Sequence, residues 1–192
     1  AFCNKLSIAE GLTPVYTVQG VDFWNLGFNS IPTSSNSTWD ALTADWKANG
    51  YRLPTEMEWM WAAMGADTAN PGQINRTGYK KPFAGSTASN SIGDHAWFTD
   101  NSGGKTHPAG TKKANELGLY DMSGNVWEWC WDWNGDWPSG AKTGYIGAAS
   151  GRSRVNRGGS WDNGTSICPV SHRSYGRPYD RGKSYGFRIV RP

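Results

Sequence analysis

Few residues in this chain are suited to redox, metal or nucleophilic chemistry. It has three cysteines, Cys3, Cys130 and Cys168, and three histidines, His95, His107 and His172. The cysteines lie far apart and form no Cys-x-x-Cys motif, so at most one pair could form a disulfide. The histidines lack the spacing of a zinc site, and no Ser/His/Asp triad or carboxylate pair is recognisable. We interpret Cys130 and Cys168 as small buried apolar residues.

A stretch near the C-terminus is better suited to binding than to catalysis. Residues 162–185 mix Asp, Asn, Gly, Ser, Tyr, His and Arg with no period. The tyrosines Tyr175, Tyr179 and Tyr185 offer broad amphipathic contacts at low entropic cost, and Ser, Gly and Asn offer adaptable hydrogen bonds. This composition is typical of antibody paratopes. Tyr- and Ser-rich loops also occur as ordinary protein surface, which is the alternative interpretation.

The elements that would position this stretch indicate an α+β domain. Thr55 and Glu58 have the spacing of a capping box, which predicts a helix from Pro54-Thr55 to about Met64. The alternation in Val126–Trp133 predicts a strand with four tryptophans on one face. We also expect helices near residues 2–6 and 39–46, a long loop over 66–111, and strands at 15–18, 154–161, 169–173 and 185–190.

Composition excludes several classes of protein. The 192 residues suit one domain, and 12 Trp, 8 Tyr and 6 Phe provide too much apolar surface for a disordered chain. A net charge of +3 without a basic stripe argues against nucleic-acid binding. No apolar run approaches the roughly 18 residues of a membrane span, and no signal peptide is visible. Since no capping residue precedes Phe2, we expect the true start of the domain to be missing.

Four ordered blocks of sequence carry a family resemblance. They are YRLPTEMEWMWAA at 51–63, NELGLYDMSGNVWEW at 115–129, RGGSW at 157–161 and GFR at 186–188. Together they resemble the formylglycine-generating-enzyme, or sulfatase-modifying-factor, superfamily over about residues 1–192. The resemblance implies a single domain with the C-type lectin fold of the formylglycine-generating-enzyme subtype. Short strands, two or three helices and long loops are expected, without the usual N-terminal strand and helix start.

The resemblance implies an oxidase site that this chain does not reproduce. The family's enzyme oxidises a substrate cysteine with its own Cys-x4-Cys pair, whose soft thiolates bind copper. Asn163 stands at the first of these positions, and Cys168 reaches the second only in an ungapped alignment. Ser160 matches a serine in the active site of the family's enzyme, and a turn residue after Gly158 and Gly159 is an equally good interpretation. We expect no catalysis and no required cofactor; the alternative is a divergent metal-dependent oxidase of the formylglycine-generating or sulfoxide-synthase kind.

A structural calcium ion is the one cofactor that the resemblance suggests. Its ligands would be the side chains of Asp121 and Glu128 and the backbone carbonyls of Gly124 and Val126, since calcium prefers six to eight oxygens. The equal alternative is that Asp121 caps the turn at 122–125 and that Glu128 faces a buried arginine. Neither the Glu-Pro-Asn nor the Gln-Pro-Asp tripeptide of sugar-binding lectins occurs.

The stretch 162–185 also resembles the variable region of diversity-generating-retroelement proteins, which would span 154–192 here. In that family, adenines of asparagine codons are randomised, and such codons cannot encode Lys, Glu, Gln, Met or Trp. These five types supply 31 of the first 161 residues but only Lys183 among the 24 residues of 162–185. Lys183 is therefore predicted to be a fixed position.

The leading hypothesis is a non-catalytic, receptor- or adhesin-like protein with a diversified C-terminal binding surface. Its partner would be a protein or another cell-surface ligand, not nucleic acid, and its place the bacterial cell surface. It would reach the membrane only through a lipid anchor outside this chain. An accessory domain with an ordinary loop face is a further alternative. The predicted binding residues, of which Ile167 could instead belong to the core, are Asp162, Asn163, Ser166, Ile167, His172, Ser174, Tyr175, Arg177, Tyr179, Asp180, Ser184 and Tyr185.

Overall fold

Three short helices and two small sheets form the regular structure of the chain, in a computed structural model that describes residues 1–87 and 89–192. The helices are α1 (Phe2–Ala9), α2 (Ser37–Asp40) and α3 (Glu56–Met64). The strands are β1 (Tyr16–Thr17), β2 (Thr43–Ala44), β3 (Trp127–Trp133), β4 (Arg154–Arg157), β5 (Arg173–Gly176) and β6 (Tyr185–Gly186). Loops and single 3-10 turns connect them. The predicted α+β class is confirmed, and no helix in the described ranges is long and apolar enough to cross a membrane.

Helix α3 begins and ends where the sequence predicts. The Thr55 side chain accepts a hydrogen bond from the Glu58 N–H at 3.2 Å, and the Glu58 carboxylate accepts one from the Thr55 N–H at 2.8 Å. This reciprocal capping box satisfies two N–H groups that the first turn leaves without partners. Trp59 and Ala63 lie on the inner face of the helix and are buried in the main core.

The larger sheet has the strand order β5-β4-β3-β6, with β6 parallel to β3 and the other pairs antiparallel. Strand β3 alternates strictly: Glu128, Cys130 and Asp132 are buried on the side of α3, and its four tryptophans are half-buried on the other side. We call this second side the tryptophan face; it carries Trp127, Trp129, Trp131 and Trp133. The predicted strand over 126–133 is confirmed.

A buried network of charges fixes this sheet against α3. Glu56 accepts hydrogen bonds from Arg157 Nε at 2.8 Å and from Arg173 Nε at 2.9 Å. The carboxylate of Asp132 accepts one from the Glu56 N–H at 2.7 Å. The network joins α3 to β3, β4 and β5. Breaking such a buried pair costs about 3–5 kcal/mol because the remaining charge stays buried without a partner.

Two predicted elements were wrong, and the strands predicted at 154–161 and 185–190 end earlier, at Arg157 and Gly186. Residues 39–46 do not form one helix: α2 ends at Asp40, and Thr43–Ala44 pairs with β1. The helix-like spacing arises because Trp46 contacts the ring of Trp131 edge-on at 5.7 Å. The strand predicted at 169–173 begins only at Arg173, because residues 169–172 form a turn closed by a 2.9 Å bond from the His172 N–H to the Pro169 carbonyl.

Candidate ligand-binding surface

The RGGSW block forms a buried frame before the predicted binding stretch. Gly158 and Gly159 have φ values of +95° and +74°, which only glycine adopts readily. A Cβ on Gly158 would lie 3.2 Å from the Trp59 ring, and one on Gly159 would lie 3.2 Å from the carbonyl oxygen of Ile167. Residues 155–161 are all buried. The chain therefore leaves the core at Trp161 in a fixed direction.

Several predicted residues lie along the tryptophan face. Trp129 pairs with Asn156 and Asn156 pairs with Ser174, and residues in register share one face of a sheet. The ring of Tyr185 stacks on Trp129 with centroids 5.3 Å apart. The ring of His172 lies 5.8 Å from that of Trp127.

The loop after β5 returns to the same face. Asp180 Oδ2 accepts a hydrogen bond from the Arg177 N–H at 2.8 Å. A Cβ on Gly176 would lie 2.7 Å from the Trp129 ring and 3.3 Å from that Asp180 oxygen. Because glycine has no Cβ, both the Trp129 ring and the Asp180 carboxylate can lie close to the backbone here. The carbonyl of Ser184 accepts a bond from the Trp127 N–H at 2.8 Å. The residues brought together here are His172, Ser174, Asp180 and Tyr185, with the backbone of Ser184, and Tyr179 lines one cavity together with Trp129.

Asp162 and Asn163 lie on a turn that Trp161 connects to the same loop. The Ser160 hydroxyl lies 2.6 Å from Asp162 Oδ1 and 2.7 Å from Asn163 Oδ1. Trp161 Nε1 donates to the Lys183 carbonyl at 3.3 Å, and the Lys183 ammonium lies 5.0 Å from the centre of the Trp161 ring. Lys183 thus contacts the frame, as expected of a fixed position; whether it varies stays a prediction.

Tyr175 does not share this face. It pairs with Val155, and the alternation of β5 places it opposite to Ser174, with 60% of its surface exposed. Ser166 and Ile167 lie on a single 3-10 turn before buried Cys168. Asp162, Ser166, Tyr175 and Arg177 are exposed, the other eight predicted residues are half-buried, and none of the twelve is buried.

The position of the family's thiol pair offers no reactive thiolate. Cys168 is completely buried, and desolvation raises its pKa to about 11, so the thiol stays protonated at neutral pH. Burial also raises the pKa of Cys130 well above its ordinary value. Within residues 1–87 and 89–192, no group of three or more His, Cys, Asp or Glu side chains could hold a metal ion.

The predicted calcium ligands are engaged in other contacts. Glu128 Oε2 accepts from Arg188 Nε at 2.5 Å, and Glu128 Oε1 accepts from Arg188 Nη2 at 2.7 Å. Trp59 Nε1 also donates to Glu128 Oε2 at 2.6 Å. Asp121 has φ +54°, and its Oδ2 accepts a bond from the Gly110 N–H at 2.7 Å. The alternative, in which Glu128 faces an arginine, describes this geometry. Both Glu128 oxygens already accept hydrogen bonds, whereas Asp121 Oδ1 is buried and has no partner among the described residues. Calcium binding stays an untested prediction.

Two residues beside the tryptophan face were not predicted as functional. Both side-chain amide atoms of Asn156 are buried and lack a hydrogen-bond partner among the described residues. Arg154 lies on the same strand, with its guanidinium against the rings of Trp131 and Trp133. Neither residue forms a motif, and the alternation of β4 is too short to indicate which face they occupy.

This fold and the buried frame define the class of the chain. It belongs to the family of sulfatase-modifying factor enzyme 1-like domains, whose model matches residues 1–192. The superfamily indicated by the four sequence blocks is thereby confirmed.

Among solved structures, the chain is similar to Treponema denticola variable protein 1, with 43% identity, a TM-score of 0.87, and coverage of 100% of this chain and 67% of that one. This chain is also 32% identical to the chaperone protein LppX of Paenibacillus barcinonensis over 99% of this chain's length. It is 31% identical to the formylglycine-generating enzyme of Streptomyces coelicolor over 80% of its length. The chain spans 65% of LppX and 50% of the Streptomyces enzyme.

Proposed function

We propose that this domain is a non-catalytic, receptor- or adhesin-like binding module whose ligand contacts residues of the stretch 162–185. The observation that carries the proposal is the burial pattern of that stretch. None of the twelve predicted binding residues is buried, whereas Cys168, Val170 and Gly176, which lie between them, are. Accessible and structural positions are thus interleaved along one short segment.

The frame supports diversification of the accessible positions. Arg173 pairs with buried Glu56, and Lys183 contacts Trp161, so two residues outside the twelve fix the segment against the frame. Surface substitutions away from such contacts usually change stability by less than about 0.5 kcal/mol. Ser166, Tyr175 and Arg177 are exposed and make no side-chain hydrogen bond among the described residues, so these side chains could change at little cost to the fold. Asn163, Asp180 and Tyr185 also make contacts within the fold, so changes there would cost more.

The similarity to a variable protein supports the same function. The two are 43% identical over an alignment that covers all of this chain and 67% of that protein. We infer that segment 154–192 is diversified by a retroelement, that the ligand is a protein or another molecule of a cell surface, and that the protein works at the bacterial cell envelope.

The second candidate is a divergent oxidase, favoured by the similarity to a formylglycine-generating enzyme. Against it stand Asn163 at the first position of the thiol pair and the burial of Cys168, which reaches the second position only in an ungapped alignment. Purified protein would be analysed for metal and incubated with copper and a cysteine-containing sulfatase peptide. Formation of formylglycine would overturn the binding proposal.

Sequencing the same gene from several isolates tests the proposal directly. Substitutions confined to the twelve predicted positions, with Lys183, Arg173 and Gly176 unchanged, are the expected result. A near-copy of the 3′ coding region beside a reverse-transcriptase gene would identify the mechanism. Substitutions scattered over the whole surface would instead indicate an accessory domain with an ordinary loop face.

A further inference from the structure

An apolar cavity of about 330 Å³ opens beside the candidate surface. Aromatic rings from distant parts of the chain form its walls, among them Tyr16, Phe23, Trp39, Trp129 and Tyr179. Its volume falls in the range of small-molecule sites, which are mostly apolar with a few polar groups. Tyr179 belongs to the predicted variable residues and the other four do not, so one wall of the cavity would vary while the rest stays constant.

Arg154 supplies a cation to this cavity. Its guanidinium carbon lies 4.4 Å from the centre of the Trp131 ring and 3.6 Å from that of Trp133, and its Nη1 donates to the Trp131 carbonyl. These contacts hold the planar group in one orientation. Desolvation lowers the pKa of Arg154 to about 10, which leaves the group charged at neutral pH.

The remaining donors of Arg154 are available. In the described part of the chain, Nε and Nη2 have no hydrogen-bond partner, and neither atom is sealed from solvent. Asp40 also lines the cavity, but its Oδ2 accepts bonds from the Ser35 hydroxyl at 2.7 Å and the Asn36 N–H at 3.1 Å. A partly desolvated arginine with two such neighbouring nitrogens favours a carboxylate, whose two oxygens can each accept from one of them.

A second recess adjoins the first cavity and extends the positive charge. It shares Asp40 and Tyr179 with the first cavity, and Arg152 and Arg177 line it. Positive side chains thus outnumber negative ones around the cavity and the recess. An anionic ligand is favoured over a neutral or cationic one for this reason.

We propose that the cavity is a subsite for an aromatic group that bears a carboxylate. The ring would occupy the space between the aromatic walls, and the carboxylate would accept from Nε and Nη2 of Arg154. The inference rests on the proposed binding function and names a chemical class for part of the ligand. Arg154 and Trp129 would be constant anchors, and Tyr179 would adjust the fit.

Isothermal titration with indole-3-acetate and its neutral analogue indole-3-acetamide tests the subsite. We expect the acid to bind at least about tenfold more tightly, because only the carboxylate makes charge-assisted bonds to Arg154. Arg154→Gln should reduce this ratio to within about twofold. Equal binding of the acid and the amide, or no binding of either, would overturn the proposal.

A second pair of variants keeps the test informative if Arg154→Gln does not fold. Ser34 is exposed and lines the cavity, so Ser34→Trp should block the mouth and abolish binding of both compounds. Thr33 is also exposed and does not line it, so Thr33→Trp should bind like the unmodified protein. Unchanged binding in Ser34→Trp would place the compounds elsewhere. If the compounds do not bind while isolates still differ at the twelve positions, the subsite is wrong and the proposed function stands.

Discussion

Asp132 makes the stability of this domain depend on pH in an unusual direction. Its side chain is fully buried beneath β3, where Oδ2 accepts from the Glu56 N–H and Oδ1 has no partner in the described residues. Burial raises its pKa to about 6, and the nearby Glu56 carboxylate acts in the same direction. In the unfolded chain an Asp carboxyl titrates at about 3.9. The folded protein therefore binds more protons between these values, and stability falls as the pH rises through 6.

The magnitude follows from the two pKa values. Between pH 5 and pH 7 the folded state releases nearly one proton that the unfolded state has already lost, which lowers the free energy of unfolding by about 1.3 kcal/mol. Asp132→Asn removes this dependence, because the amide oxygen can still accept from the Glu56 N–H and carries no charge. His172, whose pKa is lowered by desolvation, acts in the opposite direction within this range but is common to both proteins.

Urea unfolding at pH 5, 6 and 7, followed by tryptophan fluorescence, measures the effect. Between pH 5 and pH 7 the free energy of unfolding of Asp132→Asn should rise by about 1 kcal/mol relative to that of the unmodified protein. Because His172 and the surface carboxylates contribute equally to both, only the difference between the proteins matters. If both proteins show the same pH dependence of stability, the raised pKa assigned to Asp132 is wrong.

Three further predictions concern the frame and the surface, each measured by urea or thermal unfolding. Gly176→Ala should destabilise the fold by about 1–3 kcal/mol because its Cβ would lie 2.7 Å from a tryptophan ring, whereas Gly164→Ala, with open space around it, should be neutral; equal effects would contradict the packing. Glu128→Gln should cost about 1.5–3 kcal/mol by removing the charged partner of half-buried Arg188, and Glu58→Gln, on a half-exposed pair, less than about 1 kcal/mol. If Glu128→Gln is less stable than the unmodified protein only when calcium is added, the result would support calcium binding by Glu128. Tyr175→Ser should change stability by less than about 0.5 kcal/mol, and a larger loss would show a structural role.

Local signals explain what could be predicted from the sequence. The capping box at Thr55 and Glu58 and the alternation of β3 depend on residues a few positions apart, so they indicate α3 and β3 directly. The prediction of a helix over 39–46 was wrong because Trp39 packs against Phe23 and Trp46 packs against Trp131. These tertiary contacts happen to have the spacing of a helix.

The candidate surface shows the same division. Composition alone indicated the stretch 162–185, since its polar and aromatic residues are those of binding loops. It could not show that Ser174 and Tyr175 point to opposite faces, because this depends on the register of β5 with β4. The cavity beside Arg154 was also beyond prediction, since Phe23, Trp39 and Tyr179 meet there only when three distant segments fold together.

The central claim is that the twelve predicted residues face a ligand and do not maintain the fold. A display library in which only these twelve codons are randomised as asparagine codons with variable adenines, sorted for resistance to protease, tests it most directly. Most members should remain folded, whereas an equally sized library at twelve buried positions of residues 122–170 should be almost entirely digested. Loss of protease resistance in both libraries to the same extent would contradict the account.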